Sequence, residues 1–236
     1  EDKETSFSLI EYAAFNSSIK IFKFLLLNLG KNANLNEKLY NNAINGGNFD
    51  IIHLIEKEHP QLIKQSSIYK AISLHQNQIA HYLLDNFDFI QLDQKAASKS
   101  VKVFNIEFIL KYLNMIKGKE TKENINILFF KAVETRQLGL ARFFLTNYQN
   151  LIDINQHFYS KKLKRFFTPL IYSIKMKYNE ISLFLINQKK IIIQYSDEEY
   201  EPDALNVSIK TKNYQIIEEL LKKPTIHINH IDFNYY

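Results

Sequence analysis

The sequence predicts an all-α solenoid of about seven stacked helix-turn-helix units with short hairpin loops between them. Three observations carry that prediction. Five glycines and four prolines in 236 residues leave few tight turns of the usual kind, so Asn, Asp and Ser must supply them. One pattern recurs along the chain: a small residue, an Ile or Leu eight positions on, then bulky apolar residues at helical spacing. A hydrophobic fraction of 46% without any cysteine supplies a sizeable core that needs neither disulfides nor thiolate-bound metal.

The first copy runs through Ala13 and Ala14 to Ile19, Ile21, Phe22, Phe24, Leu25 and Leu26. In the second, Ala43 precedes Ile51, Ile52, Leu54 and Ile55, and in the third Ala71 precedes Ile79, Ala80, Tyr82 and Leu83. A fourth, around Ala96, Ala97, Ile106, Phe108 and Ile109, fits only with an inserted residue. The fifth runs from Ala132 to Leu140, Ala141, Phe143 and Phe144, the sixth from Ser173 to Ile181, Leu183, Phe184 and Leu185. The seventh runs from Ser208 to Ile216, Ile217, Leu220 and Leu221. The small residues Ala13, Ala43, Ala71, Ala97, Ala132, Ser173 and Ser208 lie 30, 28, 26, 35, 41 and 35 positions apart. Each sits in a short first helix, where a small side chain lets the second helix approach closely. The apolar stripes then close a core between neighbouring units, because one unit alone cannot bury its own face.

Thr168-Pro169-Leu170, five residues before Ser173, resembles the Thr-Pro-Leu opening of an ankyrin repeat. Asp153-Ile154-Asn155 and Ile226-His227-Ile228-Asn229 resemble the Asp-Val-Asn segment that leads into that family's hairpins, and Ser8–Leu26 is similar to a whole first-plus-second helix. A mean spacing of about 33 is the ankyrin period. The resemblance implies an L-shaped stack over residues 1–236 as one domain, with hairpins as fingers and first helices lining a concave face. It implies Thr168 as a helix cap and Pro169 in the first turn. Family members place Gly four residues before the Ile of the second helix, in left-handed backbone. Gly47 alone keeps it here, against Ser17, His75, Arg136, Lys177 and Lys212. A left-handed residue other than glycine costs roughly 1 kcal/mol, so modest stability and altered turns are expected.

Composition narrows the function. A charged fraction of 23% fits a folded chain, and no apolar run reaches the roughly 18–20 residues that cross a membrane. The net charge of +5 is spread among interleaved acids, which is weak grounds for nucleic acid. Neither a nucleophile elbow nor a phosphate-cradling glycine loop occurs, and Gly46-Gly47 reads as a helix-end turn. His227-x-x-His230 with Asp232 reads as an exposed tail rather than a metal site, and His75 and His81 straddle a turn. Asp197–Glu201 reads as a solvated connection, with Asp203 as the next helix cap. No enzyme, cofactor or metal is expected. The expectation is an intracellular adaptor, cytoplasmic or nuclear and monomeric, that binds another protein and no membrane.

Two surfaces are candidates for that partner. From Asp153 to Thr168 the chain takes fifteen residues, where the family takes about ten, and the extra length carries Lys161, Lys162, Lys164 and Arg165 among aromatics. The second surface is the pair of positions after each small residue, which the resemblance turns to the concave groove. These are Phe15/Asn16, Asn45/Gly46, Ser73/Leu74, Glu134/Thr135, Lys175/Met176 and Lys210/Thr211. The competing reading is an α-solenoid that binds nucleic acid through a basic stripe at 161–165, 175–177 and 210–212. The final segment, Ile228–Tyr236, reads as the start of another hairpin, so the array is expected to continue.

Overall fold

The computed structural model describes residues 8–29, 35–194 and 203–226; Asp197–Glu201, the His227/His230 pair and the closing Ile228–Tyr236 segment lie outside them. The described chain is mostly helical. It divides into an N-terminal body, Glu1–Ile116, and a C-terminal body, Lys117–Tyr236.

The N-terminal body holds four helix pairs: α1 (Leu9–Phe15) with α2 (Ile19–Leu29), α3 (Glu37–Gly46) with α4 (Phe49–Glu58), α5 (Gln65–Ser73) with α6 (Asn77–Asn86), and α7 (Gln94–Val103) with α8 (Ile106–Met115). Partners within a pair pack on each other, and the first helices pack in series, α1 on α3, α3 on α5 and α5 on α7. The C-terminal body repeats the plan with α9 (Lys122–Glu134) and α10 (Leu138–Asn147), α11 (Pro169–Lys175) and α12 (Asn179–Ile186), and α13 (Ala204–Lys210) and α14 (Tyr214–Leu221). There α9 packs on α11 and α11 on α13.

The turn inside each pair is the same object seven times. Ser17, Gly47, His75, Phe104, Arg136, Lys177 and Lys212 all have φ between 53° and 74°. The expected alteration of the turns therefore does not occur: the left-handed conformation survives the loss of glycine. In six pairs the N–H after the left-handed residue donates to the carbonyl of the small residue five positions back, as in Ser18 to Ala13 (2.9 Å), Gln76 to Ala71 (3.0 Å) and Asn213 to Ser208 (2.8 Å). The left-handed residue's own N–H donates three back, as in His75 to Ile72 at 3.2 Å. This pair of bonds satisfies helix-end carbonyls that would otherwise be orphaned, and it explains why the position under the turn is small. Ala13, Ala43, Ala71, Ala132, Ser173 and Ser208 are at most 3% exposed.

The fourth pair corrects the sequence reading. Asn105 N–H closes the turn on Ser100 at 2.8 Å, with Phe104 left-handed, so Ser100 and not Ala97 is the small residue under the turn. Phe108 then falls eight positions later, and no inserted residue is needed. Ser100 passes for Ala because its hydroxyl donates to Ala96 O at 2.9 Å inside the helix; Ser173 and Ser208 do the same to Leu170 O and Leu205 O.

Some replacements of glycine also gain contacts. Ser17 Oγ donates to Gly46 O (2.5 Å), His75 Nε2 lies 3.0 Å from Val103 O, and the Arg136 guanidinium sits over the Tyr178 ring. Each of these reaches the next pair in sequence. Gly46 cannot carry a side chain, since a Cβ there would lie 2.3 Å from Ala14 O.

Side-chain amides clamp the loops that lead into successive pairs. Gln65 bonds both N–H and C=O of Gln91 (2.8 and 2.7 Å), Asn126 takes Asp153 N–H and donates to Leu151 O, and Asn155 takes Ile192 N–H and donates to Lys190 O. Thr168 caps α11 through Ile171 N–H at 3.3 Å with Pro169 in the first turn, as predicted. Asp203 stands at the N-cap of α13 and accepts from Gln194 Nε2 at 3.1 Å.

The expected apolar stripe of α2 is only partly buried. Phe22 is fully covered, but Ile21 and Phe24 are 57% and 64% exposed. In the following pairs the residue matching Ile21, such as Ile51 or Ile79, is at most 6% exposed.

Candidate functional site

The longer connection between Asp153 and Thr168 folds as a β-hairpin of β1 (Phe158–Ser160) and β2 (Arg165–Phe167), the one strand pair among the described residues. The strands are antiparallel, with Phe158 opposite Phe167, Tyr159 opposite Phe166 and Ser160 opposite Arg165. Because side chains alternate across a strand, this register sorts the aromatics into two faces. Phe158 turns inward and stacks on Phe130 of α9 at 4.5 Å between ring centroids. Phe167 is 3% exposed and meets Tyr172 of α11 edge-on at 6.1 Å. Tyr172 is buried, and its hydroxyl is pushed up to about 12, first by burial and then by the nearby charge of Glu134.

The opposite face is open. Tyr159 and Phe166 are 51% and 62% exposed and meet each other edge-on, with centroids 5.3 Å apart and planes at 65°. Residues 161–164 make the turn, with Lys164 left-handed at φ 53° and Leu163 N–H bonded to Ser160 Oγ at 3.3 Å. Lys161, Lys162, Lys164 and Arg165 are exposed, and none pairs with a carboxylate among the described residues. Residues 154–179 contain these four cations, Lys175 and Lys177, and no Asp or Glu. The hairpin is therefore a local concentration of positive charge in a chain whose charges are elsewhere mixed. The fifteen-residue spacing exposed the insertion in the sequence; which aromatics face in and which face out follows only from the strand register.

The groove positions are less uniform than the resemblance implies. Lys175 is the last residue of α11, and its Nζ lies 5.2 Å from the Phe167 ring centroid, so it joins the hairpin's base; Met176 beside it is half-buried. Glu134 forms an ion pair with Lys131, and Thr135 Oγ1 donates to Lys131 O at 2.7 Å. Thr211 Oγ1 likewise donates to Val207 O, and Lys210 ends α13 one pair further on. Phe15 is 39% exposed, while Leu74 is half-buried.

Two hollows of the C-terminal body are troughs beside α10 and α12. One of about 440 Å³ is lined by Leu145, Gln149, Ile152, Ile154, Lys189 and Lys190, and a more open one by Leu138, Arg142, Glu180 and Phe184. Among the described residues no group of three His, Asp or Glu is placed to hold a metal ion, and no helix is long and apolar enough to cross a membrane.

Helix pairs with one repeating turn define a helical repeat-like protein. Residues 30–112 match a family described as a domain of unknown function (DUF3447), a domain found in ankyrin-repeat proteins. That stretch runs from before α3 into α8, all within the N-terminal body. No curated protein matches the sequence.

Proposed function

We propose that this chain is a non-catalytic adaptor of ankyrin type, which binds another protein through the 158–167 hairpin and the adjoining ends of the first helices. The observation that carries this reading is the hairpin's two-faced construction. Phe158 and Phe167 anchor it on α9 and α11, so the exposed Tyr159/Phe166 pair and four cations without an ion pair among the described residues are held out from that base. Exposed aromatics beside an arginine are the chemistry enriched at protein interfaces, and the three lysines add charge that steers an acidic partner. Support for the ankyrin reading comes from the recurring pair-and-turn geometry, the Thr168-Pro169 cap, the Asn155 clamp and the match over residues 30–112. Extended surfaces of stacked repeats suit proteins better than small molecules.

Affinity capture from nuclease-treated lysate tests it, comparing wild type with a chain carrying Glu at Lys161, Lys162, Lys164 and Arg165. The adaptor reading expects a protein retained by wild type and lost by the variant. If wild type retains nothing after nuclease but holds RNA or DNA without it, the basic stripe of 161–165, 175–177 and 210–212 takes over as the functional surface. Retention of the same proteins by both chains would remove the hairpin from the account.

A further inference from the structure

We infer that the hairpin's partner is an acidic peptide segment carrying an aliphatic anchor, with the anchor seated on the Tyr159/Phe166 notch and the acidic residues on the cations around it. This rests on the adaptor reading and adds the chemistry of what is bound. Charge sets the first half. Six cations and no carboxylate between residues 154 and 179 leave the hairpin without neutralising groups of its own in sequence, and Lys161, Lys162, Lys164 and Arg165 make no ion pair among the described residues. Carboxylates of a partner supply what is missing, and Arg165 offers a fork suited to one of them.

Ring geometry sets the second half. Tyr159 and Phe166 stand directly opposite across the two strands, more than half exposed, with planes 65° apart. Successive nucleobases stack on open ring faces, and an edge-on pair presents one face and one edge where two stacked bases would need two faces. The angle between them is a notch that a branched aliphatic side chain fills, removing apolar surface of all three residues from water. Single-stranded nucleic acid would use the cations but not this notch.

The test is a fluorescence titration of the full 236-residue chain with three labelled probes: a short Asp/Glu peptide with one central Leu, the same peptide with Ala for Leu, and an oligothymidylate of similar length. Supporting results are binding of the Leu peptide, weakening on the order of tenfold when Leu becomes Ala, and loss of that difference in a Tyr159→Ser/Phe166→Ser chain. Because the Leu-to-Ala change is made in the probe, the comparison stands even if the protein variant folds poorly. Equal binding of the two peptides would reduce the site to bulk electrostatics and overturn the inference. Tighter binding of the oligothymidylate, with the steep salt dependence of phosphate contacts, would overturn it in favour of nucleic acid. No binding of any probe also overturns it; if the lysate capture still depends on the hairpin, the adaptor reading survives that failure, and if capture fails too, both fall.

Discussion

Ser17, His75, Phe104, Arg136, Lys177 and Lys212 occupy backbone that glycine enters freely, and each carries a strain cost of roughly 1 kcal/mol. What separates them is what the side chain does in return. Lys177 and Lys212 are exposed, whereas Ser17 and His75 bond carbonyls of the next pair. Lys177→Gly and Lys212→Gly are therefore expected to stabilise the chain by about 0.5–1 kcal/mol each, measured by urea unfolding. Ser17→Gly and His75→Gly should gain nothing, because strain relief is offset by a lost hydrogen bond of about 1 kcal/mol. Equal gains at all four positions would show that the bonds between pairs contribute nothing. Gly46→Ala should cost about 2 kcal/mol or more, since its Cβ would meet the Ala14 carbonyl oxygen. The sequence revealed five of these six turn positions, all but Phe104, by their place before the second helix but not their conformation, because five of the six replacements are residue types that give no left-handed signal. It misplaced Ser100 because the Ala96-Ala97 pair imitates the small position one turn too early.

At the scale of the element, burial decides which apolar residues matter, and the helical stripe alone does not reveal it. Ile51 of α4 is fully buried, so Ile51→Ala should cost about 2–5 kcal/mol, whereas Ile21→Ala on α2 should change stability by no more than about 0.5 kcal/mol. Thermal unfolding of the two variants checks the asymmetry, which the sequence could not give because both residues occupy the same place in their repeats. Tyrosines tie helices together within a pair and between pairs as well. Glu56 of α4 accepts from Tyr40 Oη at 2.8 Å and from Tyr82 Oη of α6 at 2.7 Å. Burial, followed by the hydrogen bond to Glu56 and its charge, pushes Tyr82 up from 10.0 to about 12, and burial pushes Tyr40 up as well. A group with a raised folded value favours its neutral form in the native state. Its contribution is whole below pH about 10 and is lost as pH rises toward 12. The melting midpoint should fall across that window, and Tyr82→Phe should flatten part of the slope; an unchanged slope would show that this tyrosine titrates normally.

At the scale of the whole molecule, the sequence disclosed the all-helical class and the number of helix pairs, because a period near 33 residues is carried by seven separate copies. It disclosed the candidate site only as excess length and charge. Which aromatics anchor the hairpin and which are displayed depends on strand register, and a single offset of one residue would exchange the two sets. The central claim is that the displayed set meets a protein. Placing the photo-crosslinking amino acid benzoylphenylalanine at Phe166, with a second chain carrying it at the exposed Phe89 of the N-terminal body, tests that directly in cells. The account predicts a discrete protein adduct from position 166 and none of the same mass from position 89. Adducts to nucleic acid alone, or the same protein adduct from both positions, would contradict it.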